Sequence, residues 1–314
     1  MRSVPLDCGG WLSGFSIHSS GRLYAYGDVF GMWRSDDAGQ SWKYLLHDLT
    51  AYDHFVSGSA VPTTDANTVA FIGGRNVYKS TDGGATWKKL PIRLNVELVR
   101  GATPLIFQPG SATEMWLASV RTNETGNLWH SKDGGETWTK AGGETFDKVR
   151  AMTVYVRPEY PDQIWVGGSG GLWVSADHGA TFTKVWDNEG GLRSPMGQRP
   201  TVTAIARRSD GIGYFASNIA GYRITATDFK DPKSFQVTKV ITRVHGNGPS
   251  CATVLADDSF VTSDLGGNYA KISKEGVTWT DLAMNLSTEN TPVYLAPKPG
   301  SKVPGGRDMI VQDP

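Results

Sequence analysis

Apolar positions along this chain recur in short alternating runs, not at helical spacing. Between residues 151 and 187 they read AMTVYVRP, then DQIWVGG, then GLWVSADHGATF, then TKVWD, separated by turns bearing Gly, Pro or Asp. Alternation with period two sends successive side chains to opposite faces, so each run predicts a β-strand. Four such runs joined by tight turns predict one antiparallel sheet of four strands. The unit repeats, and its third run ends in Ser-x-Asp-x-Gly-x-Ser/Thr-Trp: SDDAGQSW from Ser35, STDGGATW from Ser80 and SKDGGETW from Ser131. SADHGATF from Ser175 ends in Phe182 instead, and SKEGVTW from Ser273 is one residue short, with Glu275 at the Asp position. The starts lie 45, 51, 44 and 98 residues apart, the last being two periods with a degenerate repeat around Thr225 to Phe235.

A period of 44 to 51 residues built from four strands signals a β-propeller. Radial repetition buries the faces of neighbouring blades against one another and leaves only short edges. Innermost strands are expected near Leu12, Ser57, Thr103, Met152, Val202, Cys251 and Pro292, which predicts an all-β, seven-bladed propeller occupying residues 1–314 as a single domain. PVYLAP and RDMIVQDP supply only two strands of the last blade, with no Asp box after them. That blade is therefore expected either to be incomplete or to be closed by the N-terminal segment RSVPLD.

Composition agrees and narrows the function classes. The 314 residues include 38 Gly, 16 Pro, 11 Trp and 11 Tyr, as expected of many short strands and turns. Lys and Arg total 31 against 31 Asp and Glu, with no basic run, so nucleic acid is not an expected partner. No stretch approaches about 18 consecutive apolar residues, which excludes a transmembrane helix, and MRSVPLDCGGWLSG lacks the apolar core of a signal peptide. Cys8 and Cys251 are too few for a disulfide framework and are read as buried thiols. No Cys/His spacing marks a metal set, and no cofactor is expected.

The repeated Asp37, Asp82, Asp133 and Asp177 are read as turn-forming groups. A carboxylate there can accept backbone N–H bonds while the following Gly takes positive φ. Chemistry is expected on the opposite face, where the turns between second and third strands and the links between blades lie. Carboxylates occupy those turns at Asp28, Glu124, Asp264 and Asp313. The links carry Tyr52, Asp53 and His54, then Trp186, Arg193 and Arg199, then His245 and Asn247. Aromatic rings stack on pyranose faces and polar groups bond hydroxyls, so Phe30, Tyr52 and Trp186 are the expected platforms of a polysaccharide site.

GGWLSGFSIHSSGRLYAYGDVFGMWRSDDAGQSWKYLL, from Gly9 to Leu46, resembles the opening of glycoside hydrolase family 74, the xyloglucanases. WKKLPIRLN from Trp87 and GNLWHSKDGGETW from Gly126 resemble the same family. The resemblance implies a polysaccharide partner, β-glucan or xyloglucan, and a secreted or periplasmic setting. It also implies that Asp28 is the general base of an inverting hydrolysis. Such hydrolysis needs a second, protonated carboxyl about 6.5–9.5 Å away, which the family places on a second propeller. This chain has no residues for one, so it is expected to be the front half of a two-propeller protein or to meet a second chain. Asp264, in SDLGG, resembles the family's acid-bearing turn but stands in a different blade, and is a weaker catalytic candidate. Two other readings stand beside this one. A non-enzymatic scaffold resembling the photosystem assembly propellers shares the single-ring length. A sialidase would need an early Arg-Ile-Pro segment, where this chain has RSVPLD at Arg2.

Overall fold

The computed structural model describes residues 12–27, 31–94, 103–119, 128–147, 149, 151–187, 201–217, 219–242, 244, 249–264, 270–282, 296–297 and 309–310. Blade 1 consists of β1 (Leu12–Ile17), β2 (Leu23–Gly27), β3 (Gly31–Ser35) and β4 (Lys43–Tyr44), and blade 2 of β5 (Val56–Ala60), β6 (Val69–Gly73), β7 (Asn76–Ser80) and β8 (Lys88–Arg93). Blade 3 comprises β9 (Leu105–Phe107), β10 (Met115–Ala118), β11 (Leu128–Ser131) and β12 (Thr139–Lys140). Blade 4 comprises β13 (Ala151–Arg157), β14 (Tyr160–Gly168), β15 (Gly171–Ser175) and β16 (Thr183–Asp187). Blade 5 holds β17 (Val202–Arg207), β18 (Gly213–Ser217), β19 (Gly221–Ala226) and β20 (Phe235–Ile241), and blade 6 holds β21 (Pro249–Val254), β22 (Phe260–Asp264), β23 (Ala270–Ser273) and β24 (Thr280–Leu282). Every pairing within a blade is antiparallel and sequential, and the degenerate repeat is the β19–β20 connection of blade 5.

The expected seven blades are corrected to six. After Leu282 the described residues contribute only β25 (Ala296–Pro297) and β26 (Met309–Ile310), a two-residue ladder touching β21. Pro292 and Pro297 bracket the first of the two strands expected there, and Pro299 and Pro304 fall in the segment between them. A proline has no N–H to give to a ladder and is disfavoured in central strands. Pro292 and the N-terminal segment RSVPLD lie outside the described residues.

First strands contact one another in succession from β1 to β21 and line the channel. In five blades the pairing of first and second strands shifts register near its start, at Leu12/Gly14, Val56/Gly58, Ala151/Thr153, Val202/Ala204 and Pro249/Cys251. Such a bulge bends the strand and increases its twist. The channel contains a cavity of about 310 Å3 whose walls include Phe15, Ile17, Leu105, Phe107, Val154 and Ile205. Cys251, on β21, is half-buried, less than the buried thiol expected, and Cys8 lies outside the described residues.

The core is a series of layers between blades. Tyr24, Tyr26 and Met32 of blade 1 pack on Val56, Val69 and Phe71 of blade 2, and Trp116 and Leu128 of blade 3 pack on Val154, Ile164 and Val166 of blade 4. The Asp-box tryptophan of blade 2 joins one of these layers: the Trp87 ring stands edge-on to Phe71 at 4.7 Å and its Nε1 donates to the Leu45 carbonyl of blade 1 at 3.0 Å. Phe71, Trp116 and Trp165 are fully buried. Each such side chain contributes about 1.5–3 kcal/mol or more through burial.

The four Asp boxes share one hydrogen-bond pattern. In the box of blade 2, Ser80 Oγ donates to Asp82 Oδ1 at 2.6 Å and accepts the Gly84 N–H at 2.8 Å. Asp82 also accepts the Thr86 N–H at 2.9 Å and its hydroxyl at 2.6 Å. Asp37, Asp133 and Asp177 repeat these bonds with Ser41, Thr137 and Thr181. The fourth and fifth positions of each box are left-handed, as at Gly134 (φ 76°) and Gly135 (φ 92°).

Candidate functional site

β2 and β3 of blade 1 end opposite the Asp boxes, where Gly27 pairs with Gly31 across the turn 28–30. Asp28 and Phe30, between these strands in sequence, lie outside the described residues, as do Glu124, Arg193, Arg199, His245, Asn247 and Asp313. Asp264 is placed at the end of β22, the same end of a second strand that Asp28 follows in blade 1. Beside Gly31 the described side chains are aromatic. Trp33 stands edge-on to Tyr44 at 5.1 Å, and Tyr44 to His47 at 4.8 Å.

The link from blade 1 to blade 2 forms a short 3-10 turn, Ala51–His54, packed against both β3 and β6. Two glycines permit this approach. A β-carbon on Gly73 would stand 2.4 Å from the Asp53 carbonyl oxygen, and one on Gly74, whose φ is +56°, would stand 2.5 Å from the Tyr52 ring. The paired glycines of IGGRN are therefore the local sequence signal for a tightly seated link.

Asp53, His54 and Tyr52, neighbours in sequence, are used differently. Asp53 is 4% exposed, and its carboxylate accepts Thr50 Oγ1 at 2.5 Å and Asn76 Nδ2 at 2.9 Å. Burial pushes its carboxyl up, but hydrogen bonds from Thr50, Asn76 and Tyr78 outweigh this and hold it below the ordinary value. Burial in turn pushes the Tyr78 phenol up to about 12, with the Asp53 charge adding to the effect. Asp53 thus ties the link to the β6–β7 turn. His54 Nε2 lies 3.0 Å from the Leu46 carbonyl, which can only accept, so Nε2 donates and Nδ1 accepts from the Tyr44 hydroxyl at 3.2 Å. Tyr52 alone of the three projects outward, 54% exposed beside Phe55 at 38%.

Tyr52 borders an open cleft of about 450 Å3 at the rim of blade 2, completed by Arg75, Asn76, Lys89, Leu90, Pro91, Ile92 and Arg93. An exposed ring, an apolar strip and several N–H donors can stack on a sugar face and bond its hydroxyls. Arg75, Asn76, Lys89 and Arg93 were not among the expected site residues; the IGGRN turn and WKKLPIRLN hold them, but only the packing of the link sets them around one opening. Trp186 is placed elsewhere, half-buried between blades 4 and 5, with Phe215 at 5.1 Å and Tyr222 at 4.9 Å. On the other face the side chains of Glu114, His130 and His178, of types able to ligate a metal, meet although no sequence spacing joins them. No helix among the described residues is long and apolar enough to cross a membrane.

Residues 31–150 match the Sortilin-Vps10 family, described as sortilin, neurotensin receptor 3. Xyloglucanase Xgh74A of Acetivibrio thermocellus is 28% identical over 151 residues, covering 42% of this chain and 18% of that protein. The structure of the GH74 xyloglucanase from Xanthomonas campestris superposes with a TM-score of 0.68 at 21% identity, over 91% of this chain and 47% of that one. YCF48 from Cyanidioschyzon merolae superposes with a TM-score of 0.65 at 13% identity, over 94% of this chain and 90% of that one. The chain thus carries a propeller similar to those of family 74, and it spans less than half the length of the Xanthomonas enzyme.

Proposed function

We propose that this chain is a glycan-active propeller of the xyloglucanase type, binding a β-glucan or xyloglucan chain across the face that carries turn 28–30 and the Tyr52 cleft. The sequence match to Xgh74A carries the reading, and the exposed Tyr52 ring over a donor-lined cleft supports it. Asp28 is the general base. Its carboxylate takes a proton from water as the water oxygen attacks the anomeric carbon, and the glycosidic oxygen leaves with a proton from a carboxylic acid on the opposite side. A second propeller or a second chain supplies that acid; Asp264 is the weaker candidate within this chain. Asp37, Asp82, Asp133 and Asp177 serve the turns and not the chemistry. A secreted or periplasmic setting fits a polymeric substrate.

The purified chain is expected to bind xyloglucan or mixed-linkage β-glucan in preference to sialyl-lactose, with little turnover. Tyr52→Ala should weaken binding about tenfold, the loss of one stacking contact of ~1–2 kcal/mol. Asp28→Ala in the polypeptide that hydrolyses should abolish cleavage while leaving binding. Cleavage retained by Asp28→Ala would overturn the base assignment. The single-ring length shared with YCF48 favours a second reading, a protein-binding scaffold; absence of binding to every glycan on the panel would support it.

A further inference from the structure

On the Asp-box face the packing of blade 3 against blade 4 brings together side chains from three distant parts of the sequence. Glu114 directly precedes β10, His130 lies on β11, and His178 is the fourth residue of the blade 4 Asp box. His130 Nε2 stands 2.7 Å and His178 Nε2 2.6 Å from the same oxygen, Glu114 Oε1. The ligand atoms of the three residues all lie within 4.8 Å of one another.

Two features of this cluster bear on what it can hold. The first is backbone strain. The fourth box position is left-handed in every box, Gly83 at φ 74°, Gly134 at 76°, Ala38 at 57° and His178 at 56°. A β-carbon is unfavourable there, and glycine is the residue the turn itself prefers. At this position the turn aims the imidazole of His178 at Glu114. The second is that both nitrogens of one ring face carboxylates: His178 Nδ1 faces Asp162 Oδ1 at 3.4 Å, while its Nε2 faces Glu114. With a metal ion on Nε2 the N–H sits on Nδ1 and points at Asp162, the carboxylate–histidine–metal arrangement that orients a ligating ring. His130 is already oriented, stacked on Trp116 with ring centroids 3.8 Å apart and planes 7° from parallel.

We propose that Glu114, His130 and His178 bind a divalent ion of the late first transition row, Zn2+ foremost, which clamps blade 3 to blade 4 with Asp162 as its outer partner. Two imidazoles and one carboxylate are a borderline-soft N2O set suited to that ion. Metal–ligand lengths of about 2.0–2.2 Å at a tetrahedral angle put ligand atoms about 3.4 Å apart, so the present N–O contacts would open by roughly 0.7 Å through side-chain rotation. The Glu114 and His178 side chains are 21% and 31% exposed, which gives the ion a way in and leaves a fourth position for water.

The test uses the full chain, tag removed and stripped with EDTA, titrated with ZnCl2 by calorimetry and with CoCl2 by visible absorption. The expected result is saturation at one equivalent of Zn2+, visible Co2+ bands that Zn2+ displaces, and a higher Tm with Zn2+. His178→Gly suits the left-handed position, so in EDTA its Tm should equal or exceed that of the unaltered chain, while Zn2+ saturation and the Zn2+-dependent rise are lost. Asp162→Asn should weaken Zn2+ binding about 10- to 100-fold. No saturable binding by the unaltered chain, or equal Zn2+ binding by His178→Gly, would overturn the proposal and leave the cluster as a hydrogen-bonded latch.

Discussion

Replacing Ser80 by alanine tests whether the Asp-box hydroxyl is a structural keystone. Ser80 is 2% exposed, and one oxygen serves three groups: it donates to Asp82 Oδ1 at 2.6 Å and accepts the N–H of Gly84 at 2.8 Å and of Asp82 at 3.2 Å. Alanine leaves the buried Gly84 N–H without an acceptor, which costs about 1–3 kcal/mol. It also removes a donor to a carboxylate; because Asp82 is open to water, this adds only about 1 kcal/mol. The sum, about 2–4 kcal/mol, corresponds in a chain of this length to a Tm lower by roughly 4–8 °C. Calorimetry and urea unfolding should agree, with the midpoint shifted and the slope against urea unchanged. Ser41→Ala is the control: its hydroxyl reaches Asp37 Oδ2 at 2.6 Å on the exposed side, and it should change stability by less than about 1 kcal/mol. A Tm for Ser80→Ala within 1 °C of the unaltered chain would refute the reasoning.

Three further outcomes follow from the same geometry. Arg207 is 1% exposed, stacks over Tyr160 at 3.7 Å, and donates to the Gly211 carbonyl at 3.0 Å and to Gln163 Oε1 at 2.6 Å, while burial pulls its pKa down to about 10. Lysine cannot make both bonds and the stack, so Arg207→Lys should cost about 2–4 kcal/mol, read as a fall in Tm. Stability should fall on acidification: hydrogen bonds from Thr137 lower the Asp133 carboxyl from 3.8 to about 2, and bonds from Ser41 and Ser80 lower Asp37 and Asp82 as well. Groups depressed on folding stabilise above their unfolded pKa and lose that contribution as pH drops through the folded value. Tm should therefore be flat above about pH 5 and decline between pH 4 and 2, and mutation of two boxes to Asn should flatten the decline. Gly74→Ala, with a β-carbon 2.5 Å from the Tyr52 ring, should displace that ring and weaken glycan binding as much as Tyr52→Ala does, at about 1–2 kcal/mol in stability.

The all-β class, the four-stranded unit and the Asp-box turns were legible in the sequence because each is local. A period-two run determines its own strand, and Ser80, Asp82 and Gly84 lie within five residues of one another. The number of complete blades was not local. The period carries the repeat past Leu282, but among the described residues only the two-residue ladder Ala296–Pro297 with Met309–Ile310 follows it. Site residues divided for the same reason. Tyr52, Asp53 and His54 look alike as polar loop residues, yet the seat made by Gly73 and Gly74 buries Asp53 against Asn76 and leaves Tyr52 in solvent.

By itself, then, the sequence determined a ring of repeated sheets, because backbone periodicity and turn chemistry are settled within a few residues of each position. Tertiary structure alone decided which polar side chains are spent inside the fold, that Trp186 packs between blades, and that Glu114, His130 and His178 meet at one oxygen. Those outcomes depend on contacts between blades, made by residues up to 64 apart, and no spacing along the chain encodes how two sheets will lie against each other.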